Sequence, residues 1–208
     1  EPLFWGGAVV YDETFKPRVL SQSLRDRMNG LSSLRVVEPY LKQIEQERPD
    51  SDFLARMTYL ELKLRLPELL LMRVDKITMA TSVEARVPFL DHHLVEYALG
   101  LPRSLKVEGT TGKHILKRAL EDLLPHDLLY EPKRGFGAPV REWFRGRDLR
   151  ALFDERLMNS TMRRRDLLDY GFVARMLDEH RSGGKDWGFH LWALLNLSLW
   201  YERWIDRP

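Results

Sequence analysis

The sequence contains no cysteine. Disulfides and thiolate chemistry are therefore excluded, and the composition fits a cytoplasmic protein. It has almost no strand signal. Ala8-Val9-Val10-Tyr11 is the one stretch with the right apolar, β-branched character. It lacks a long apolar run: the uncharged aromatic stretch from Trp187 to Tyr201 is shorter than the ~20 residues that span a bilayer. With His190 and Asn196 inside it, that stretch reads as a buried helix, and no membrane association is expected. An excess of one charge is also missing. The 33 basic and 31 acidic residues leave a formal charge of +2, so charge gives no case for nucleic acid. The start, Glu1-Pro2-Leu3-Phe4-Trp5, has neither the basic region of a signal peptide nor an initiator methionine, and the chain reads as an excised fragment.

What remains is ordinary globular composition: 208 residues, 44% hydrophobic and 31% charged. That supports a real core and argues against disorder. Residues 1–208 are expected to form one helical unit. Helical spacing of Leu34, Val37, Leu41 and Ile44 predicts a helix over 34–47. Pro49-Asp50-Ser51-Asp52 breaks and recaps the chain before a helix over 53–66, and Pro67 starts a new turn. A strongly apolar helix follows over 69–80. Pro88 makes 83–90 irregular, and Asp91 caps a helix over 92–99. Further helices are expected over 16–28, 113–123, 148–156, 170–181 and 187–204.

Four features could carry chemistry. Arg73-Val74-Asp75-Lys76 places charges in an apolar helix, which is costly unless they are paired or face a polar cleft. A structural ion-pair network explains it equally well. In Ser82-Val83-Glu84-Ala85-Arg86, Glu84 and Arg86 point the same way if the segment is extended. A buried salt bridge is the plainer reading there. Lys133-Arg134-Gly135-Phe136-Gly137 is a basic glycine loop of the sort that can wrap a phosphate, although most such loops are simply solvated. Ser182-Gly183-Gly184-Lys185-Asp186 imitates a pyrophosphate loop. It follows a charged helix instead of an apolar strand, so it reads as a helix C-cap and turn. The six histidines form no defensible metal site, and His92 and His93 are expected to leave the helix on different faces.

Taken together, the second and third features are much more specific. The run from Val74 to Asp91 resembles the signature of the C-terminal domain of asparagine synthetases, V-D-(R/K)-x-(T/S)-M-A-x-S-x-E-x-R-x-P-(F/L)-L-D. Gly112-Lys113-His114-Ile115-Leu116-Lys117 is similar to that family's G-K-x-(I/L)-L-(R/K). Lys133 to Pro139 is similar to its K-x-G-F-x-x-P. Trp143, Leu191-Trp192 and Trp200 also sit where the family has them, so the resemblance runs from about Tyr59 to the end. Glu1 to Gly7 looks like the tail of the family's acidic loop S-G-x-G-x-D-E-L-F-x-G, with Pro2 departing from it.

The resemblance implies a mainly α fold: the helical C-terminal portion of an α/β adenine-nucleotide-hydrolase-like, PP-loop ATP pyrophosphatase domain, with the parallel sheet missing. It implies a glutamine-dependent ligase that adenylates an aspartate carboxylate with ATP and then amidates it with ammonia. Lys133 matches the family's phosphate-contacting lysine. Glu84 and Arg86 match polar positions at the reaction centre, and Arg73, Asp75 and Glu1 match positions on the nucleotide and substrate side. ATP and Mg²⁺ would be held mainly by residues absent from this chain. The implied partners are the glutaminase domain and PP-loop sheet of the same polypeptide and small-molecule substrates, and a homodimer is compatible. The isolated 208 residues are expected to be inactive. Relatives that amidate sugar uronates or peptides, or close β-lactam rings, supply one alternative, and a non-catalytic helical module supplies another.

Overall fold

The computed structural model describes residues 10–132, 139–146 and 151–206. In chain order its helices are α1 (Lys16–Val19), α2 (Gln22–Met28), α3 (Leu34–Glu47), α4 (Phe53–Leu60), α5 (Met72–Met79), α6 (His92–Gly100) and α7 (Arg103–Lys106). After a two-stranded hairpin, β1 (Val107–Glu108) and β2 (Thr111–Gly112), come α8 (His114–Ala119), α9 (His126–Tyr130), α10 (Val140–Arg145), α11 (Thr161–Arg164), α12 (Tyr170–Ser182) and α13 (Gly188–Trp204). The fold is mainly α, as the sequence led us to expect. Two compact units divide it: Glu1–Glu38 with Gly137–Pro208, and Pro39–Phe136.

The first unit holds a conventional core. Phe153, Leu157, Met162, Val173, Met176 and Leu191 are its most buried apolar side chains. Phe144 stands edge-on to Phe153 at 4.3 Å between ring centroids. One long apolar stripe from α12 and another from α13 supply most of this core, as amphipathic helices must to be stable. The N-terminal segment is tied to it by main-chain bonds. Ser21 N–H donates to the Leu167 carbonyl at 3.2 Å and Asp169 N–H to the Val19 carbonyl at 2.9 Å. This bridge interrupts the helix expected over 16–28: Leu20 turns extended to pair with Leu168, and Ser21 then caps α2 by accepting from Leu24 N–H.

Around His190 the core becomes aromatic. Tyr11, Phe15 and Trp187 approach its ring at 5.2, 5.1 and 5.0 Å, and Tyr11 Oη donates to its carbonyl at 2.7 Å. Burial disfavours the charged imidazolium, and Lys185 adds to the effect, so the His190 pKa is lowered. Residues 182–186 form a helix stop, as their sequence context indicated. Gly183 adopts a left-handed φ of 81° after α12, and Lys185 N–H closes back on the Glu179 carbonyl at 3.2 Å. The fully buried His180 accepts the Trp187 N–H at Nδ1, 3.1 Å away.

In the second unit burial is scarce. Among its described residues, Ile44 and Leu60 are the only buried hydrophobics. Asp52 caps α4 through Ala55 N–H at 2.8 Å, and Asp91 caps α6 through His93 and Leu94 N–H at 3.0 and 3.2 Å. Pro67 does not begin a new element. The helix passes through it in a wider π register over Glu61–Leu71, where Met72 N–H reaches the Pro67 carbonyl. No helix among the described residues is long and apolar enough to cross a membrane.

Ile77, Phe89 and Tyr97 are each 68% exposed and Leu123 is 75% exposed. That much apolar surface is what proteins cover by association. The 208-residue chain by itself is therefore expected to bind a hydrophobic dye and to self-associate as its concentration rises. Sedimentation velocity checks this; a dye-silent monomer across the concentration range would contradict it.

Candidate functional site

The conserved-looking segment lies where α5 stops. Helix α5 ends in a double main-chain closure: Ser82 N–H donates to the Met79 carbonyl and Val83 N–H to the Thr78 carbonyl, both at 3.0 Å. That pairing of bonds is the Schellman arrangement, which requires a left-handed residue just past the helix. Ser82 fills that position at φ 59°, where glycine is the usual occupant. The chain then reverses and runs irregularly to the 3-10 turn at Pro88–Leu90.

Glu84 and Arg86 are brought together on this outgoing strand of chain. Arg86 Nη2 sits 2.8 Å from Glu84 Oε1, with the two side chains 81% and 66% exposed. They order each other, as their spacing suggested. The buried-salt-bridge reading is wrong: so exposed a pair contributes little stability, typically below ~1 kcal/mol.

Arg73 and Asp75 are both exposed on α5. Two residues apart on a helix of ~100° per residue, they diverge to roughly opposite sides. One cleft wall can present one of them directly. Arg73 Nε donates to the Leu69 carbonyl at 2.5 Å, and neither Asp75 nor Lys76 takes part in an ion pair among the described residues. The ion-pair network that would have explained charges in an apolar helix is therefore absent there. Its premise is absent too, because α5 buries none of its residues. Lys133 and Glu1 lie outside the described residues, as does the loop through Ala138.

Sequence reasoning missed two backbone features. One is Ser82. The other is Lys113, which takes a left-handed φ of 57° at the start of α8, within the Gly112-Lys113 pair. A helix followed by a non-glycine residue at the chain reversal gives no sequence signal of a left-handed turn. His92 and His93 also behave unexpectedly: their rings lie 3.8 Å apart at 39° instead of on different faces. No group of three or more His, Asp or Glu side chains suited to a metal occurs among the described residues.

The family model for asparagine synthase matches residues 3–202. A Mycobacterium tuberculosis protein named "Putative asparagine synthetase (glutamine-hydrolyzing)" is 40% identical over 155 residues, covering 74% of this chain and 24% of that protein. Asparagine synthetase (glutamine-hydrolyzing) 1 of Bacillus subtilis is 27% identical over 97% of this chain and 30% of its own length. The mouse asparagine synthetase (glutamine-hydrolyzing) is 30% identical over 58% of the chain. The chain thus spans about a quarter of the length of the relatives it matches. No solved structure matches it.

If Ser82 holds the reversal, substitutions there should rank by their tolerance of positive φ. Ser82→Gly should be as stable as the parent or more so. Ser82→Val should lose ~1–2 kcal/mol, because a β-branched residue is strained in that region. Thermal melts would show the order; a valine variant as stable as the parent would mean the left-handed turn does not hold this segment.

Proposed function

The chain belongs to the asparagine synthase family, and on that premise we propose that it is part of a glutamine-dependent ligase that activates a carboxylate with ATP and converts it to an amide. The observation carrying this reading is the unbroken signature from Val74 to Asp91, whose charged side chains stand at the surface instead of being consumed in a buried network. A purely structural role for Glu84 and Arg86 would have buried them. Aspartate is the proposed acceptor, by the names of the relatives.

The chemistry sets what the residues must do. An acceptor carboxylate oxygen attacks the α-phosphorus of ATP, pyrophosphate leaves, and an acyl-adenylate forms. Ammonia then attacks the acyl carbon. The bond from that carbon to the bridging oxygen breaks, AMP departs with the oxygen, and the nitrogen loses its extra proton. Negative charge builds on the phosphates in the first step, so cations placed there beforehand lower its barrier. In this proposal Lys133 supplies a point charge to the departing pyrophosphate. Arg73, with no carboxylate partner, suits the same anionic side, and Asp75 and Glu1 belong to it by their places in the signature. Glu84 holds Arg86 at 2.8 Å and leaves the other guanidinium N–H groups to point at substrate oxygens.

The described residues suit an anionic nucleotide in the sign of these guanidinium groups. They offer no cluster of acidic ligands for a divalent cation. Mg²⁺, which would neutralise phosphate charge when bound, is therefore assigned to residues outside them. A glutaminase domain supplying ammonia, a nucleotide-binding sheet, a homodimeric state and a cytoplasmic location complete the proposal. It follows that the 208 residues alone should not turn over ATP.

The direct test is AMP and amide formation from glutamine, ATP and aspartate by the complete polypeptide, alongside its Lys133→Ala form. A loss of roughly 100-fold or more in turnover at an unchanged melting temperature is expected, because a preorganised charge at the transition state is worth several kcal/mol. Equal turnover by both forms would remove Lys133 from the reaction. AMP formed with uronates or peptides but not with aspartate would keep the chemistry and change the acceptor.

A further inference from the structure

A cavity of about 490 Å³ lies entirely within the second unit. It is bounded by the last turn of α3, the turn Asp50-Ser51-Asp52, the first turns of α4, and the junction of α6 with α7. Its size falls in the range of small-molecule sites, roughly 300–1,000 Å³. None of the residues proposed above for amide formation lines it.

Leu54, Ala55, Leu99 and Leu101 give the cavity apolar walls. Its charged groups are three basic and three acidic, but most of them are already engaged. Lys106 Nζ donates to the Leu99 carbonyl at 3.0 Å. The Asp52 carboxylate caps α4, and Glu47 accepts from Gln43 Nε2 at 2.9 Å. That leaves Arg48 and Arg103 without a carboxylate partner, against Asp50 alone. The uncommitted charge is thus one cation in excess. A further polar group is also uncommitted: the Ser51 hydroxyl oxygen is buried and has no hydrogen-bond partner. Buried hydroxyls are nearly always paired, so this one calls for a partner.

We propose that this cavity binds a small molecule carrying a single carboxylate on an apolar body. The carboxylate sits between Arg48 and Arg103 and accepts the Ser51 O–H, while the body lies against Leu54, Leu99 and Leu101. A single negative charge matches the one-cation excess, whereas a phosphate ester with nearly two would be opposed by Asp50. The volume excludes a folded partner.

The probe is 4-methylpentanoate, compared with its neutral amide 4-methylpentanamide, titrated into the complete polypeptide and followed by saturation-transfer NMR. The acid should bind at millimolar concentration, and the amide ~tenfold more weakly, because it forfeits the charge-assisted bonds. Arg48→Gln and Arg103→Gln should each weaken the acid ~tenfold and leave the amide unchanged. Leu54→Trp, which fills the cavity, should abolish both. Amide formation from aspartate without the acid should be unaltered in Arg103→Gln, which separates this site from the reaction centre. Equal binding of acid and amide would overturn the proposal, as would acid binding that survives both glutamine variants, or no binding at all. The comparison of acid with amide needs no variant, so it holds even if a substitution disturbs folding.

Discussion

The position of every candidate residue in the signature depends on one main-chain closure, the bond from Val83 N–H back to the Thr78 carbonyl. It ends α5, satisfies carbonyls that would otherwise be left unpaired, and turns the chain so that Glu84 and Arg86 leave on a new path. The turn works only with a left-handed residue at Ser82. Local strain of that kind persists where surrounding structure over-determines it. Here the surroundings include a 3-10 turn at Pro88–Leu90 and the Asp91 cap of α6, so the segment is clamped at both ends.

Burial divides the molecule unevenly. In the first unit, Phe153, Leu157 and Leu191 are essentially inaccessible. Truncating any of them to alanine would cost ~2–5 kcal/mol. The second unit keeps its charged and apolar groups alike near the surface. Its helices are fixed by caps and main-chain closures more than by packing. Such elements have low local stability, which suits a segment that must meet other groups to act.

Much of this was legible in the sequence. Helix α3, the break at Pro49, the caps at Asp52 and Asp91, and the irregular stretch before Pro88 follow from spacing and from residues whose local chemistry is strong. The false pyrophosphate loop could be recognised because a charged helix precedes it. Three things were not legible. The split of the first predicted helix depends on Leu20 pairing with Leu168, a contact 148 residues away in the chain. The passage of Pro67 through a π turn depends on a register that no local propensity reports. The exposure of α5 depends on what packs against it, and an apolar run with interspersed charges looks the same whether or not it is covered. For the site, the pairing of Glu84 with Arg86 was foreseen from their spacing. Their exposure and the role of Ser82 came only with coordinates, and Lys133 and Glu1 lie outside the described residues.

The central claim is that this chain serves a reaction in which a carboxylate oxygen becomes bonded to the α-phosphorus of ATP. Aspartate labelled with ¹⁸O in its side-chain carboxylate, incubated with the complete polypeptide, ATP and ammonia, tests that bond directly. The account predicts AMP carrying one ¹⁸O atom, read by mass spectrometry, in step with asparagine. Unlabelled AMP, or ADP in its place, would show that the carboxylate is not activated by adenylation and would contradict the account.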